Sequence, residues 1–328
     1  MAPGSVACRG DPRKERQLVP GPDPFDKTYR SAPGQVVTLE PGVRVVAAPN
    51  PGPMTFTGTN TYLVGDQSVA IIDPGPDIAD HKSAILAAIA GAEVSHILVT
   101  HSHPDHSALA RGLSDVLGAP VCAFCPATVR SGVMAMSAYP GKAGAAGEPE
   151  ASFAPDVCLE DGQGISGDGW FLTALHTPGH LSDHLCFANE ASGAVFSGDH
   201  VMGWATTMVS PPDGDLTRFM ASLDRMAARD DRIYYPGHGG PVGDPPLMIA
   251  WQIAHRHHRE AQIIAAMGRQ PATATGLARA IYTDIDRHLI SAATRTVLAH
   301  LIDLSTRGCV APVNHAGPLS ETSEFRLI

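Results

Sequence analysis

Long apolar runs and an excess of positive charge are both missing from this sequence of 328 residues. No stretch of 18 or more apolar residues occurs, so we expect no membrane-spanning helix. The 23 Lys and Arg are outnumbered by 33 Asp and Glu, and the resulting charge of -10 argues against a broad nucleic-acid-binding surface. Residues 1–17 contain four basic side chains but no apolar segment, so we do not interpret them as a secretory signal.

Cysteine is also sparse, and the six residues are too scattered for a dense disulfide framework: Cys8, Cys122, Cys125, Cys158, Cys186 and Cys309. A reduced, cytoplasmic setting is therefore the simplest expectation. Cys122 and Cys125 form a CxxC pair at a predicted strand, where residues three apart point to opposite faces. We expect both to be plain buried thiols, without a metal or redox function.

Short apolar runs recur from about Val36 to Pro236, and most of them end in Gly, Pro, Asp or His. They predict strands at Val43–Ala48, Thr61–Val64, Val69–Ile72, His96–Thr100, Val121–Phe124, Trp170–Leu175, Ala194–Ser197 and Arg232–Tyr235. Asp77 is expected to cap a helix that runs through Ile89, and the spacing of Leu216, Phe219, Leu223 and Met226 predicts another. The Gly-, Ala- and Pro-rich segment Ser137–Glu150 predicts a long loop.

The pattern becomes helical after Pro246. Helices are predicted at Leu247–Met267, Thr275–Tyr282 and His288–Thr306, with Gly308 as the last C-cap, and a strand-like tail follows. This module contains eight Arg and six acidic residues, a net charge of only +2. Its one basic run, His255–Arg259, is expected to be a solvated helix face or an interface, because dedicated nucleic-acid binders show a stronger basic stripe.

The strongest chemical signal is the segment Thr100-His101-Ser102-His103-Pro104-Asp105-His106, which follows directly on a predicted strand. Four imidazole or carboxylate groups within six residues suit zinc and related divalent ions. Three further ligand types, His180, Asp199 and His238, each follow the end of another predicted strand, beside Gly or Pro. Because functional groups commonly gather at strand ends on a rigid scaffold, we expect all seven to converge on one metal site.

These seven residues resemble the ligand set of the metallo-β-lactamase superfamily. The resemblance covers roughly residues 36–246 and implies an α/β fold, the αββα sandwich, with the site at one edge between the sheets. It further implies that His101, His103 and His180 bind one ion, that Asp105, His106 and His238 bind the other, and that Asp199 bridges the two. Asp105 and Asp199 are accordingly the expected catalytic carboxylates.

Other segments narrow the resemblance to the lactamase-β-2-like group, whose members have a small winged-helix domain. They are Gly58–Val64, Asp73-Pro74-Gly75, and Gly198-Asp199 with Gly203. Where many members have two glycines after the Asp-His pair, this chain has Ser107-Ala108-Leu109-Ala110. We expect a flexible tail at residues 1–30, a metallo-β-lactamase-type catalytic domain at 31–246 and a winged-helix-like helical domain at 247–328.

Such a site activates water, because two ions roughly 3.5–4 Å apart can share a water or hydroxide. Zinc lowers the pKa of bound water to about 7 in favourable sites. Zinc is the expected ion, with manganese or iron as alternatives. His184 is a candidate to orient a ligand, and His200 a candidate for proton transfer, beside a purely structural role for each.

Three functions remain open at this point. The first is hydrolysis of a small ester or thioester, which the acidic charge, Asp199 and the lack of a basic groove favour. In this interpretation the loops Pro53–Thr59 and Ser137–Glu150 shape the pocket. The second is a metal-dependent ribonuclease or other phosphodiesterase, and the third is a non-enzymatic metal-binding regulatory module. A small-molecule ester or thioester is the expected partner, nucleic acid stays the alternative, no membrane is expected, and the oligomeric state is open.

Overall fold

The N-terminal half forms a seven-stranded sheet in the computed structural model, which describes residues 21–89, 91–125, 153–283, 286, 289–313 and 317–328. Spatial order follows chain order: β1 (Val36–Glu40), β2 (Val43–Ala47), β3 (Asn60–Val64), β4 (Ser68–Ile72), β5 (Glu93–Leu98), β6 (Val121–Phe124) and β7 (Val157–Leu159). The first four strands are antiparallel and the last four are parallel, with β4 shared. The parallel half directs the ends of β4, β5 and β6 to the same edge.

A second sheet has five strands in the order β12-β11-β10-β9-β8. Their bounds are β8 (Gly164–Gly167), β9 (Trp170–His176), β10 (Leu185–Asn189), β11 (Ala194–Gly198) and β12 (Ile233–Pro236). All neighbours are antiparallel except β11 and β12, which are parallel. The ends of β11 and β12 therefore also lie together.

Seven helices are described: α1 (Ala79–Ala88), α2 (Pro104–Ser107), α3 (Ala110–Leu117), α4 (Leu216–Ala227), α5 (Pro245–Ala266), α6 (Ala274–Ile281) and α7 (Ile290–Thr306). α1 and α3 cover the outer face of the first sheet, and α4 and α5 cover the outer face of the second. The alternation of side chains along a strand explains this layering. In β3, Tyr62 faces the core between the sheets, whereas Leu63 faces α1 and α3. The predicted αββα sandwich is confirmed.

The C-terminal helices carry a small third sheet, in the order β13 (Ala272–Thr273), β15 (Glu324–Leu327) and β14 (Val310–Pro312). Its core contains Leu277 from α6, Val297 and Leu301 from α7, and Phe325 from β15, all at most 2% exposed. Arg307 is the C-cap residue of α7, and Gly308, which follows it, has φ +74°, the left-handed conformation that commonly ends a helix. The residue bounds of the tail and of the two domains stay predictions.

Several local expectations are corrected. Asp77 does not cap α1, because Ile78 occupies the N-cap position and no side chain caps the helix. The other helix predicted in this domain, α4, is capped by Asp215, whose carboxylate accepts from Arg218 N. Cys125 is not a free thiol, because it forms a disulfide bond with Cys158, whereas Cys122 is free and buried as expected.

The predicted loop Ser137–Glu150 lies outside the described residues. Part of the expected N-terminal tail is described, and it contacts the body of the protein: Phe25 packs edge-on against Trp251, and Asp26 N donates to Gly203 O. Within the described ranges, no helix has the length and apolar character needed to cross a membrane.

Candidate metal centre

The loop after β5 brings four of the seven predicted ligands together. β5 ends at Leu98, and residues 99–102 lead to His103, whose backbone is extended, before α2 begins at Pro104. Proline suits the first turn of a helix, where its missing N–H has no partner to lose. The single turn of α2 then places Asp105 and His106 beside His101 and His103, and Ser107 Oγ closes the loop by donating to His103 O (3.0 Å).

The other three ligands come from the second sheet. His180 follows β9, Asp199 follows β11 directly, and His238 follows β12. Each is preceded by a glycine, and at Gly237 the reason is steric. A Cβ atom there would lie 2.6 Å from His106 Cε1 and 2.7 Å from Asp199 Oδ1, so only glycine allows the backbone to pass this close.

Three histidines and Asp199 form a first group of donor atoms that all lie within 4.8 Å of one another. His103 Nδ1 is 3.0 Å from His101 Nε2 and 3.0 Å from His180 Nε2. Burial is the main reason that the pKa of His101 falls well below its ordinary value and that of His103 falls to about 3. His101 and His103 are therefore neutral and, with His180, point nitrogen atoms at one spot, an arrangement that suits a bound cation.

Asp105, His106 and His238 form a second group under the same distance limit. His106 Nε2 and His238 Nε2 are 3.3 Å apart, and Asp105 Oδ2 lies 3.5 Å from the first and 3.2 Å from the second. Burial opposes protonation of His106, but the carboxylates of Asp105, Asp199 and Asp73 outweigh it and raise the pKa to about 10. Negative charge thus dominates this spot, and a divalent cation would balance it.

The Asp199 carboxylate lies between the two groups. Its Oδ1 atom is 3.5 Å from His106 Nε2 and 3.5 Å from His238 Nε2, whereas its Oδ2 atom is 3.6 Å from His180 Nε2. Oδ1 is buried and has no hydrogen-bond partner among the described residues. One oxygen therefore faces each group, which is the placement that a carboxylate bridging two ions needs.

The far side of four histidine rings is fixed by oxygen atoms. His101 Nδ1 is 2.9 Å from Thr100 Oγ1, and His106 Nδ1 is 2.8 Å from Asp73 Oδ2. His180 Nδ1 donates to Met208 O (2.7 Å), and His238 Nδ1 donates to Gly58 O (3.2 Å). A proton held at Nδ1 leaves the lone pair at Nε2 facing the centre, as metal-binding histidines require. Together with the donor chemistry, this shows that the residues fit two divalent ions.

Asp73 is the most important residue to which sequence reasoning gave no role, although its Asp-Pro-Gly motif was noted. It is 2% exposed, and besides His106 it accepts from Thr100 N (2.7 Å) and Thr100 Oγ1 (2.8 Å). Its φ of +51° turns the chain after β4 so that the carboxylate faces the loop after β5. The motif was the available signal, but the sequence does not indicate that the carboxylate contacts Thr100 and His106.

Two further polar residues hold the loops that carry the histidines. Asn60, at the start of β3, donates through Nδ2 to Pro236 O (3.0 Å) and Gly239 O (2.9 Å), one residue to each side of the pair Gly237-His238. Asp183 accepts from Ser102 N (3.1 Å), and burial raises the pKa of its carboxyl group to about 6. Asp183 was missed because nothing local distinguishes it from an ordinary turn residue.

The two histidines singled out beside the ligands have different surroundings. His184 accepts from Asp199 N (3.1 Å), and its Nδ1 lies 2.9 Å from Thr177 Oγ1, so it holds the main chain of a predicted ligand. His200 is fully buried, and its ring packs edge-on against Phe219, with the ring centres 4.9 Å apart. This contact favours the structural alternative for His200 over proton transfer.

Comparison with known proteins gives two family matches. Residues 54–238 match the model of the metallo-beta-lactamase superfamily, and residues 273–315 match that of the beta-lactamase associated winged helix domain. Among solved structures, a beta-lactamase domain protein from Burkholderia ambifaria superposes with a TM-score of 0.74 at 22% identity, covering 91% of this chain and 95% of that one. A metallo-beta-lactamase family protein from Thermus thermophilus superposes with a TM-score of 0.68 at 25% identity, covering 89% and 100%.

Curated relatives include fungal proteins with thioesterase names. The atrochrysone carboxyl ACP thioesterase dmxR1 of Cryptosporiopsis sp. (strain 8999) is 34% identical over 71% of this chain and 65% of its own length. The protein of Claviceps purpurea (strain 20.1) with the same activity in its name is 34% identical, over 71% and 68%. The match thus spans slightly less than two thirds of the first relative. By the fold and these matches, the chain belongs to the metallo-β-lactamase superfamily and has a C-terminal winged-helix domain.

Proposed function

We propose that this protein is a hydrolase that cleaves an acyl thioester with two divalent ions, zinc being the expected metal. The observation that carries the proposal is the Asp199 carboxylate, with one oxygen facing each group of histidines. His101, His103 and His180 would hold one ion, Asp105, His106 and His238 the other, and Asp199 both. When bound, such a pair of ions supplies an activated water and polarises the carbonyl group that is attacked.

The residues of the chain prepare this chemistry before the substrate arrives. The oxygen partners of four histidines hold each Nδ1 atom so that Nε2 faces the centre, and little reorganisation is therefore needed during the reaction. Glycine at position 237 lets the His238 loop approach His106 and Asp199. The rings are almost fully buried, which excludes bulk water and strengthens the local electrostatic interactions.

Asp105 is the carboxylate that we assign to proton transfer. Its side chain is 28% exposed, whereas that of Asp199 is 10% exposed, so solvent and substrate reach Asp105 more readily. Burial opposes its ionisation, but His106 and His238 keep its pKa below the ordinary value, and it is therefore an anion at neutral pH. Thr59 Oγ1 donates to Asp105 Oδ2 (3.4 Å) and orients the group.

The proposed reaction is a simple hydrolysis. The oxygen of the water attacks the thioester carbonyl carbon, and Asp105 accepts a proton from that water. The C–S bond then breaks, the proton passes to the departing sulfur, and a carboxylic acid and a thiol leave. Because a thiol leaves more readily than an alcohol, protonation of the leaving group by Asp105 matters less for a thioester than for an ester.

Two observations support a thioester substrate. The relatives from Cryptosporiopsis and Claviceps carry thioesterase names. The chain charge of -10 and the weak charge of the C-terminal module offer little attraction for the phosphates of an RNA substrate. No observation favours a phosphodiesterase or a non-enzymatic module.

The cytoplasmic location also stays a prediction. It was based on the expectation of reduced thiols, and the Cys125–Cys158 disulfide bond counts against that expectation.

A substrate panel tests the proposal. The purified chain, loaded with zinc, manganese or iron, is assayed on acyl thioesters of a small thiol, on bis-p-nitrophenyl phosphate and on single-stranded RNA. His103→Ala serves as the inactive control, and His96→Ala, on the same stretch of chain but outside the site, as the matched active one. We expect metal-dependent release of free thiol by the wild type and by His96→Ala. Turnover of RNA or the phosphodiester without thioester cleavage would refute the proposal.

A further inference from the structure

A buried arginine from the C-terminal module lies close to the candidate metal centre. Arg256, in the middle of α5, is only 3% exposed. No carboxylate pairs with it among the described residues. Its guanidinium group lies over the ring of Phe219, 5.1 Å from the centroid, and its Nη2 donates to the carbonyl of Thr207. Because arginine stays charged in proteins, burying it without an acid is unfavourable, and its presence here calls for an explanation.

The backbone that Arg256 holds is directly connected to two of the predicted ligands. Thr207 Oγ1 donates to Asp199 O (2.6 Å) and to His200 O (3.1 Å). The next carbonyl, that of Met208, accepts from His180 Nδ1 (2.7 Å). Residues 207 and 208 therefore lie between Arg256 on one side and His180 and Asp199 on the other.

Phe219 provides a second connection, from Arg256 to the loop that carries His180. Its ring contacts Arg256, and its backbone packs against Gly179, where an added Cβ atom would lie 2.3 Å from Phe219 Cα. The carbonyl of Gly179 accepts from Asp215 N (2.9 Å), at the start of α4. Arg256 thus supports His180 from both sides, through α4 and through residues 207–208.

We infer that Arg256 is a positioning residue, through which the C-terminal module fixes His180 and Asp199 in the geometry that binds metal. The inference rests on the proposed metal centre and gives the module a role within it. The described contacts of Arg256 include none of the atoms proposed to bind metal, so its effect passes through Thr207, Met208 and Phe219. Partners that orient metal ligands typically change metal affinity or activity by about 10–100-fold when they are removed.

The test compares Arg256→Met with Arg259→Met. Arg259 lies on the same helix, stacks on Tyr282 (4.1 Å to the centroid) and donates to Gln262 Oε1 (2.7 Å), without a described contact to residues 207–208. Thr207→Val removes only the hydroxyl donor and keeps the carbonyl that accepts from Arg256, and Thr207→Ser restores the donor. Zinc affinity is measured by competition with a chromogenic chelator, and thermal unfolding of the metal-free proteins is followed in parallel.

We expect Arg256→Met and Thr207→Val to bind zinc at least about tenfold more weakly than the wild type. Thr207→Ser and Arg259→Met should keep wild-type affinity. In Arg256→Met and Thr207→Val, kcat should fall more than KM changes, because both side chains are buried away from solvent. If Arg256→Met does not fold, Arg256→Lys takes its place, because lysine keeps the charge but lacks the planar group that lies over Phe219 and reaches Thr207 O. Wild-type zinc affinity in the folded variants, with or without lower stability, would overturn the inference and leave the proposed function standing. Failure of the wild type to bind zinc, manganese or iron would instead overturn the proposed function.

Discussion

Replacing Asp73 with Asn tests how far the candidate centre depends on a group that does not touch the metal. Asp73 Oδ2 accepts from His106 Nδ1 (2.8 Å) and Thr100 Oγ1 (2.8 Å), and Oδ1 accepts from Thr100 N (2.7 Å). Asparagine keeps the shape and tolerates the φ of +51° at this position. It has one acceptor oxygen, however, and its NH₂ group must face at least one of the three donors.

The size of the effect follows from those contacts. A hydrogen bond to a charged partner contributes about 1.5–3 kcal/mol to stability, and the side chain is buried, so an unmatched donor stays unsatisfied. With one or two hydrogen bonds lost, we expect the free energy of unfolding of the metal-free protein to fall by about 2–5 kcal/mol. The substitution also replaces the carboxylate that fixes the His106 tautomer with a neutral amide, which is a weaker acceptor, so zinc affinity should fall by about 10–100-fold.

The assay combines urea unfolding without metal and chelator competition with zinc. Asp231→Asn is the matched control, because Asp231 is also buried and accepts from Arg229 Nη2 (2.8 Å) and Tyr234 OH (3.0 Å), but lies at the other end of β12 from His238. It should lower stability without changing zinc affinity. If Asp73→Asn binds zinc like the wild type, or Asp231→Asn weakens binding equally, the argued role of Asp73 is refuted.

Four further outcomes are expected. Asp105→Ala and His103→Ala each abolish hydrolysis while circular dichroism stays that of the wild type; most activity retained at saturating metal would contradict their assignment. Metal analysis gives two equivalents per chain, chelation abolishes activity and added zinc restores it; a ligand-intact protein that never binds more than one ion would exclude the dinuclear site. Gly237→Ala weakens metal binding at least about tenfold, because its Cβ would collide with His106 and Asp199, and unchanged affinity would show that the loop adapts. Fluorescence anisotropy detects no submicromolar binding of single-stranded RNA at near-physiological salt, and a steep salt dependence lost on removing residues after 246 would reverse this view.

The candidate site was predictable because its ligands are marked locally. Each follows an apolar strand, and strand bounds need to be right only to within a few residues for this pattern to be seen. The strand predicted at His96–Thr100 is observed at Glu93–Leu98, yet the position of His101 and His103 just beyond it is unaffected. The sandwich was predicted from the resemblance, which depends on the same residues.

Contacts that join distant parts of the chain were not predictable. The Cys125–Cys158 bond spans 33 residues and depends on the parallel pairing of β6 with β7, in which Ala123 lies opposite Cys158. β7 has only three residues and gives no clear apolar pattern, so the sequence offered no reason to pair the two thiols. The contact of Asp73 with His106 and that of Arg256 with Thr207 have the same character, since each depends on where two separate segments meet.

The basic run His255–Arg259 shows how the position on a helix decides what a charge can do. Arg256 is buried against Phe219 and Thr207, whereas His257, the next residue, is exposed. The face of α5 that carries Arg256 therefore points toward the catalytic domain and not toward solvent. An arginine used in this way cannot neutralise a phosphate, so a module with a net charge of +2 has even fewer cations available for RNA than its composition indicates. This arrangement supports an interface within the protein as the role of the basic run.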